Sequence, residues 1–257
     1  MRSVLLYQHE WKRTAALCLV DTYTWFDERK KVAYFIKRVS LLQKDKIERI
    51  QNEYKVTECM RHNDNFSLII DYCMDREYMY VLYHDHGVDL MEFGLVDMDD
   101  KAKIMGLQQM AELLRELHKY GMVHGDFKLE NVLIDARGKI RLCDFESLMV
   151  PGNDYKRFGT LEYTSPEQID GKISLKTDIW AFGVICYCVW YTEFPFCEVG
   201  GKDDYDKVCC NIKTMKVPKQ GGLLDHLIEL CVEKDMERRC GIDVVCECFV
   251  EICKKLM

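Results

Sequence analysis

The stretch VHGDFKLENVLIDARGKIRLCDFESLMV, Val123 to Val150, decides the reading of this chain. Val132–Ile134 and Lys139–Cys143 are short apolar runs split by Asp135 to Gly138, a sequence with turn chemistry, so the segment is expected to fold as a hairpin. Asp126 and Asn131 stand just before the first run and Asp144 directly after the second. A hairpin of that length holds two carboxylates and an amide close together. Taken without their surroundings, the same acids would be turn carboxylates capping short strands.

The rest of the chain narrows the choice. Its 257 residues are 48% hydrophobic, enough for a large core, and neither a disordered nor a fibrous composition. A formal net charge of −7 argues against a nucleic-acid partner, which calls for a basic face. The apolar run at the N-terminus is too short for a signal peptide, and Ile179 to Tyr191 is too short to span a bilayer, so a soluble intracellular protein with no membrane partner is expected, cytoplasm and nucleus being indistinguishable. Fourteen cysteines occur without a C-x-x-C pair, many of them inside apolar helical patterns, and they read as reduced core residues.

The character of the chain changes at Gly87, the first of its fifteen glycines. Before it, strands are expected at Val4 to Tyr7, Ala16 to Thr24 and Val32 to Val39, with WFDERKK as a polar hairpin loop between the last two. A helix is expected from about Asp45 to Met60, with Ile47, Ile50 and Tyr54 on one face, followed by strands near Ser67 to Cys73 and Tyr78 to Tyr83. After Gly87 the period becomes helical. Ile104, Leu107, Ala111, Leu114 and His118 make one stripe, preceded by the acidic residues of DMDD and closed by Gly121. Strands early and helices late give an α+β architecture.

These motifs resemble those of the eukaryotic protein kinases. HGDFKLEN is similar to the family's H-R-D-L-x-x-x-N catalytic loop, DFE to D-F-G, and VAYFIK, ending at Lys37, to the V-A-I-K strand. FGTLEYTSPEQI, Phe158 to Ile169, resembles the close of the activation segment, with Ser165 replacing the alanine of A-P-E. KTDIWAFGV resembles the central helix of the large lobe. The resemblance runs from Val32 to about Arg239. It implies a bilobal protein kinase-like fold filling residues 1–257 as one domain, with a small β-rich N-lobe carrying one helix over about 1–84 and a larger, mainly helical C-lobe over about 88–257. It also implies ATP and Mg2+ as cofactors and a protein as substrate. Asp126 would orient the substrate hydroxyl and accept its proton, and Lys128 would neutralise the γ-phosphate, as in serine/threonine kinases. Lys37 would hold the nucleotide phosphates while Glu53 orients it through an ion pair, and Asn131 and Asp144 would hold the metal. Thr160 supports the same substrate class. Glu167 would pair with Arg239, and Asp178 would hydrogen-bond the catalytic-loop backbone.

Three departures bear on activity and its control. YQHEWKRTAALCLV contains no glycine where the family has its Gly-rich loop, leaving Lys12 or Arg13 as candidate phosphate cations. Glu146 replaces the glycine of D-F-G, which points to a restricted conformation with metal binding retained. Gly125 replaces an arginine that grips a phosphorylated activation segment, so a constitutively poised enzyme, or one switched by a regulatory protein partner, is expected. The sequence supports an ATP-dependent serine/threonine protein kinase. A pseudokinase that binds nucleotide or scaffolds without turnover is the alternative, and a small-molecule kinase of related fold is a third possibility. Oligomeric state is open.

Overall fold

The first strands are built on side-chain alternation. In β3 (Val32–Ser40), Tyr34 and Ile36 pack on one face with Trp25 of β2 (Val20–Asp27) and Leu82 of β5 (Tyr78–His84). Val39 points to the opposite face, where it joins Met79, Val81 and Tyr83 against Ile50 of helix α1 (Lys44–Val56). The period of two puts Lys37 on that same helix-bearing face. Together with β1 (Lys12–Leu17) and β4 (Asp71–Met74), these strands form an antiparallel sheet in the order β1-β2-β3-β5-β4. This computed structural model describes residues 8–17, 20–151, 159–197 and 204–256. The expected strand at Val4 to Tyr7 lies outside them.

Three boundaries differ from expectation, the first being the strand expected near Ser67 to Cys73, which forms only over Asp71–Met74 as β4. WFDERKK is not all loop: β2 continues through Asp27, and the chain turns at Glu28 to Lys31, where the Asp27 carboxylate accepts the N–H groups of Arg29 and Lys30 and Lys31 takes a left-handed φ of 55°. Ala16 to Thr24 is not one strand, because Lys12–Leu17 pairs back on Val20–Asp27. Helix α1 ends at Val56, and a separate 3-10 turn, Thr57–Met60, carries the helical stretch on to Met60.

The chain forms two units. One ends at Gly87 and also takes in Arg141–Glu146; the other comprises Val88–Ile140 and Ser147 onward. Arg141–Glu146 joins the first unit by a parallel bridge between Leu142 and Phe66, a Ser67 N–H to Leu142 carbonyl bond of 2.8 Å, and an Arg141–Asp64 ion pair at 3.2 Å.

The second unit is mainly helical. Of the stripe expected on α2 (Asp100–Lys119), Ile104, Leu107, Ala111 and Leu114 are buried and His118 is half-buried, and Asp99 caps the helix by accepting the Ala102 N–H. Strand β6 (Val88–Asp89) pairs with β7 (Val132–Ile134). The predicted turn at Asp135 to Gly138 forms, with the Asp135 carboxylate accepting N–H groups from Arg137 and Lys139, and leads into β8 (Ile140–Leu142). Short helix α3 (Pro166–Ile169) opens with a reciprocal capping box between Ser165 and Gln168, which gives the serine of SPE a local role. Helix α4 (Leu175–Tyr191) is buried on nearly every side, as its continuous apolar sequence requires. Helices α5 (Tyr205–Thr214), α6 (Asp225–Cys231) and α7 (Ile242–Leu256) complete the unit, and Phe249 of α7 packs edge-on against Phe182 of α4.

Behind α3 the Arg239 guanidinium donates to both Glu167 oxygens, at 2.6 and 2.9 Å, and to the Lys176 carbonyl at 2.7 Å. Both partners are buried, and burial, which favours the neutral acid, is outweighed by Arg239, so the Glu167 pKa lies below the ordinary glutamate range. Removing one partner strands a buried charge. Glu167→Ala is therefore expected to lower unfolding stability by roughly 3–5 kcal/mol in urea titration, and Glu167→Ala with Arg239→Met by clearly less than the two single changes summed.

Candidate functional site

In the second unit the catalytic-loop candidates are held by the backbone beneath them. Asp178, on the first turn of α4, accepts the His124 N–H at 2.8 Å and the Gly125 N–H at 3.0 Å, and its Oδ2 also bonds His118 Nε2 at 3.1 Å. Gly125 has φ +79°, and a Cβ there would stand 2.8 Å from the Ser147 carbonyl oxygen. A side chain at this position would be both strained and crowded. The Gln168 amide donates to the Gly125 carbonyl at 3.2 Å, locking the same peptide from its other end.

Asp126 then stands at the centre of a polar group. Its Oδ1 accepts the Thr160 N–H at 2.8 Å and the Thr160 hydroxyl at 2.9 Å, and its Oδ2 is 3.1 Å from Lys128 Nζ. Lys128 Nζ also donates to Thr160 Oγ1 at 2.7 Å. Burial works to raise the Asp126 pKa, but Lys128 and the two Thr160 donors overcome it, and the carboxyl is held below its ordinary range. Asp126 is therefore an ionised acceptor at neutral pH. Asn131 donates through Nδ2 to the Asp126 carbonyl at 2.8 Å, which turns its Oδ1 away as a potential ligand oxygen. Gly159 leaves the room this needs: a Cβ there would lie 3.0 Å from Asp126 Oδ1 and 2.8 Å from the Gly125 carbonyl.

The first unit holds Lys37, Glu53 and Asp144. Lys37 Nζ is 3.8 Å from Asp144 Oδ1 and 5.4 Å from the centre of the Tyr83 ring. Burial pulls the Lys37 pKa down, and Asp144, then Tyr83, Glu146 and Glu53, more than restore it, so the ammonium is retained with a pKa well above the ordinary lysine value. Glu53 is 1% exposed, neither carboxylate oxygen has a hydrogen bond of ordinary geometry, and its carboxyl is pushed by burial from 4.5 to about 8, with Lys37 opposing the rise. The ion pair expected between Lys37 and Glu53 is thus absent among the described residues, the lysine lying against Asp144 instead. Asp144 carries a left-handed φ of 60°, whereas Glu146 sits in a 3-10 turn, Phe145–Ser147. The backbone demand anticipated at the glycine position of D-F-G falls two residues earlier.

Lys12 and Arg13 do not form a phosphate loop. Both lie in β1, and Arg13 pairs with Asp21, which also binds Arg38. Residues 18 and 19, between β1 and β2, lie outside the described residues, as does Phe158 of the activation-segment motif. Sequence reasoning missed three groups: Tyr83, whose buried hydroxyl faces the Lys37–Glu53 cluster, and Lys46 and Arg49, which receive Glu146 at 3.2 and 3.8 Å. Only the spacing of Lys46, Arg49 and Glu53, which sets them on one helix face, was visible in the chain.

Comparison with known proteins identifies the family. A family model described as "Protein kinase domain" matches residues 20–249. The chain belongs to the protein kinase family, with a sheet-built N-lobe and a helical C-lobe. It is 35% identical over 139 residues to "Mitogen-activated protein kinase kinase 10" of Arabidopsis thaliana, covering 49% of this chain and 45% of that protein. It is 32% identical over 180 residues to "Aurora kinase" of Patiria pectinifera, covering 66% and 44%, and 31% identical over 168 residues to "Serine/threonine-protein kinase PSK2" of Saccharomyces cerevisiae, covering 60% and 15%. The chain thus spans less than half the length of each of these relatives. Among the described residues no helix is long and apolar enough to cross a membrane.

Glu53 makes stability depend on pH. With its folded pKa above its unfolded value, its contribution is complete below about pH 4.5 and is lost as pH rises through about 8. Glu53→Gln, which cannot titrate among Lys37, Tyr83, Asp144 and Glu146, is expected to gain on wild type between pH 5 and pH 8 by about 1–3 kcal/mol in paired urea titrations.

Proposed function

We propose that this chain is a single protein kinase domain that transfers the γ-phosphate of ATP to a serine or threonine hydroxyl of a protein. The observation that carries the reading is the Asp126–Lys128–Thr160 group, in which a carboxylate is fixed by two donors and flanked by an ammonium. Phosphoryl transfer asks the protein mainly for positioned charge and an oriented hydroxyl. Asp126, held ionised, accepts a hydrogen bond from the incoming hydroxyl and takes its proton as the bond to phosphorus forms. Lys128 is placed to balance negative charge on the transferring group.

The residues fit ATP with magnesium. Magnesium takes one or two carboxylates together with phosphate oxygens, and Asp144 and the Oδ1 of Asn131 are donors of that type. When bound, the metal would neutralise phosphate charge, with Asn131 and Asp144 as its protein ligands. Lys37 keeps its charge in a buried place, which suits it to phosphate oxygens, and Glu53 serves as its reserve partner on the same helix-bearing face.

The measurement is phosphate incorporation into generic protein substrates with magnesium-ATP, run beside Asp126→Asn. Wild type is expected to transfer phosphate and the variant to be slower by roughly 10²–10⁴-fold. Equal incorporation by both would expose a contaminant, and incorporation by neither would favour the nucleotide-binding scaffold. A rise in melting temperature with magnesium-ATP identifies that scaffold, because a ligand that binds only the folded state stabilises it by RT ln(1 + [L]/Kd).

A further inference from the structure

The residues Asp144, Phe145 and Glu146 each take a partner in the first unit. Asp144 meets Lys37. Phe145 is buried edge-on against Phe66, with ring centres 5.7 Å apart. Glu146, its side chain only 7% exposed, places Oε1 3.2 Å from Lys46 Nζ and Oε2 3.8 Å from Arg49 Nη1. A carboxylate this buried is costly unless it is paired, and here each oxygen has its own cation.

The placement of the two cations gives the contact its consequence. Lys46, Arg49 and Glu53 follow one another at steps of three and four along α1, so they share a face. Lys46 lies in the first turn of that helix, where a cation opposes the helix dipole, and Gln43 at its N-cap supplies no side-chain hydrogen bond. The Glu146 carboxylate therefore offsets the lysine, the arginine and the positive helix end together. One and two turns further on, the same face brings Glu53 beside Lys37 and Asp144, whose charges all act on its carboxyl.

We propose that Glu146 is a positioning residue, an intramolecular clamp that ties helix α1 to the Asp144 segment and holds Lys37, Glu53 and Asp144 in one arrangement without modification of the chain or a bound partner. The clamp rests on the kinase reading for its functional meaning but not for its existence. It gives a physical reason for an acid in place of the glycine: the residue needs no left-handed backbone, and it reaches a pair of cations that a glycine would leave facing one another unneutralised. The loop residue Gly125, with no side chain to answer a phosphate, is consistent with a helix secured from within.

Hydrogen–deuterium exchange of the full chain tests the clamp directly. In Glu146→Gln, which is nearly isosteric, amides of residues 45–56 are expected to exchange about three- to tenfold faster than in wild type, the range that one or two partly exposed ion pairs supply. Lys46→Ala with Arg49→Ala should give a similar increase, and adding Glu146→Gln to that pair should give no further one. Exchanging the charges, Glu146→Lys with Lys46→Glu, should restore part of the protection. In the transfer assay Glu146→Gln should raise KM for magnesium-ATP by a comparable factor and leave KM for the protein substrate unchanged. Wild-type exchange over 45–56 in Glu146→Gln, or strictly additive effects, would overturn the clamp. If wild type transfers no phosphate the kinase reading fails, while the exchange data still decide whether Glu146 holds the helix.

Discussion

The buried carboxylate of Asp178 is the constraint on which the catalytic-loop geometry depends. It is 1% exposed and accepts two consecutive backbone N–H groups, from His124 and Gly125, so the chain must turn there and nowhere else. Two backbone amides held by one side-chain carboxyl fix the direction of the loop as well as its position. Because Asp178 sits on α4, the most deeply buried helix of the chain, the loop inherits the rigidity of the core. Asp126, Lys128 and Asn131 follow that fixed peptide along the same loop, and Thr160 bonds both Asp126 and Lys128. The Glu167–Arg239 pair plays a similar part below α3, fixing direction at a position where net stability is a secondary matter.

The first unit uses a different economy. The charges of Lys37, Glu53, Asp144 and Glu146 act on one another and on the Tyr83 hydroxyl. Glu53 responds by favouring its neutral form, and Lys37 by leaning on Asp144. Glu146 is the member that reaches outward to the helix, and it converts a departure from the family motif into a contact.

Much of this was legible along the chain. The two-residue alternation of β3, the stripe on α2 and the turn at Asp135 follow directly from residue pattern, because each depends on neighbours a few positions away. The same holds for the grouping of Asp126, Lys128 and Asn131, whose spacing is short enough for one loop to hold them all. What the pattern misjudged lay where local signals compete. WFDERKK is polar enough to read as loop, yet its first residues continue a strand because Trp25 is claimed by the core. Arg13, a candidate phosphate cation, is consumed by Asp21 across a strand pair.

The sequence by itself determined the family and the succession of a strand-rich part and a helical part, since these rest on residue identity and on short, regular spacing. Only the tertiary structure decided which charges are partners. Lys37 facing Asp144 instead of Glu53, and Glu146 facing Lys46 and Arg49, both join segments distant in the chain. The physical reason is that Coulomb energy and burial depend on distance through space, and residues 46 and 146 acquire a distance only when α1 and the Asp144 segment pack into the same unit.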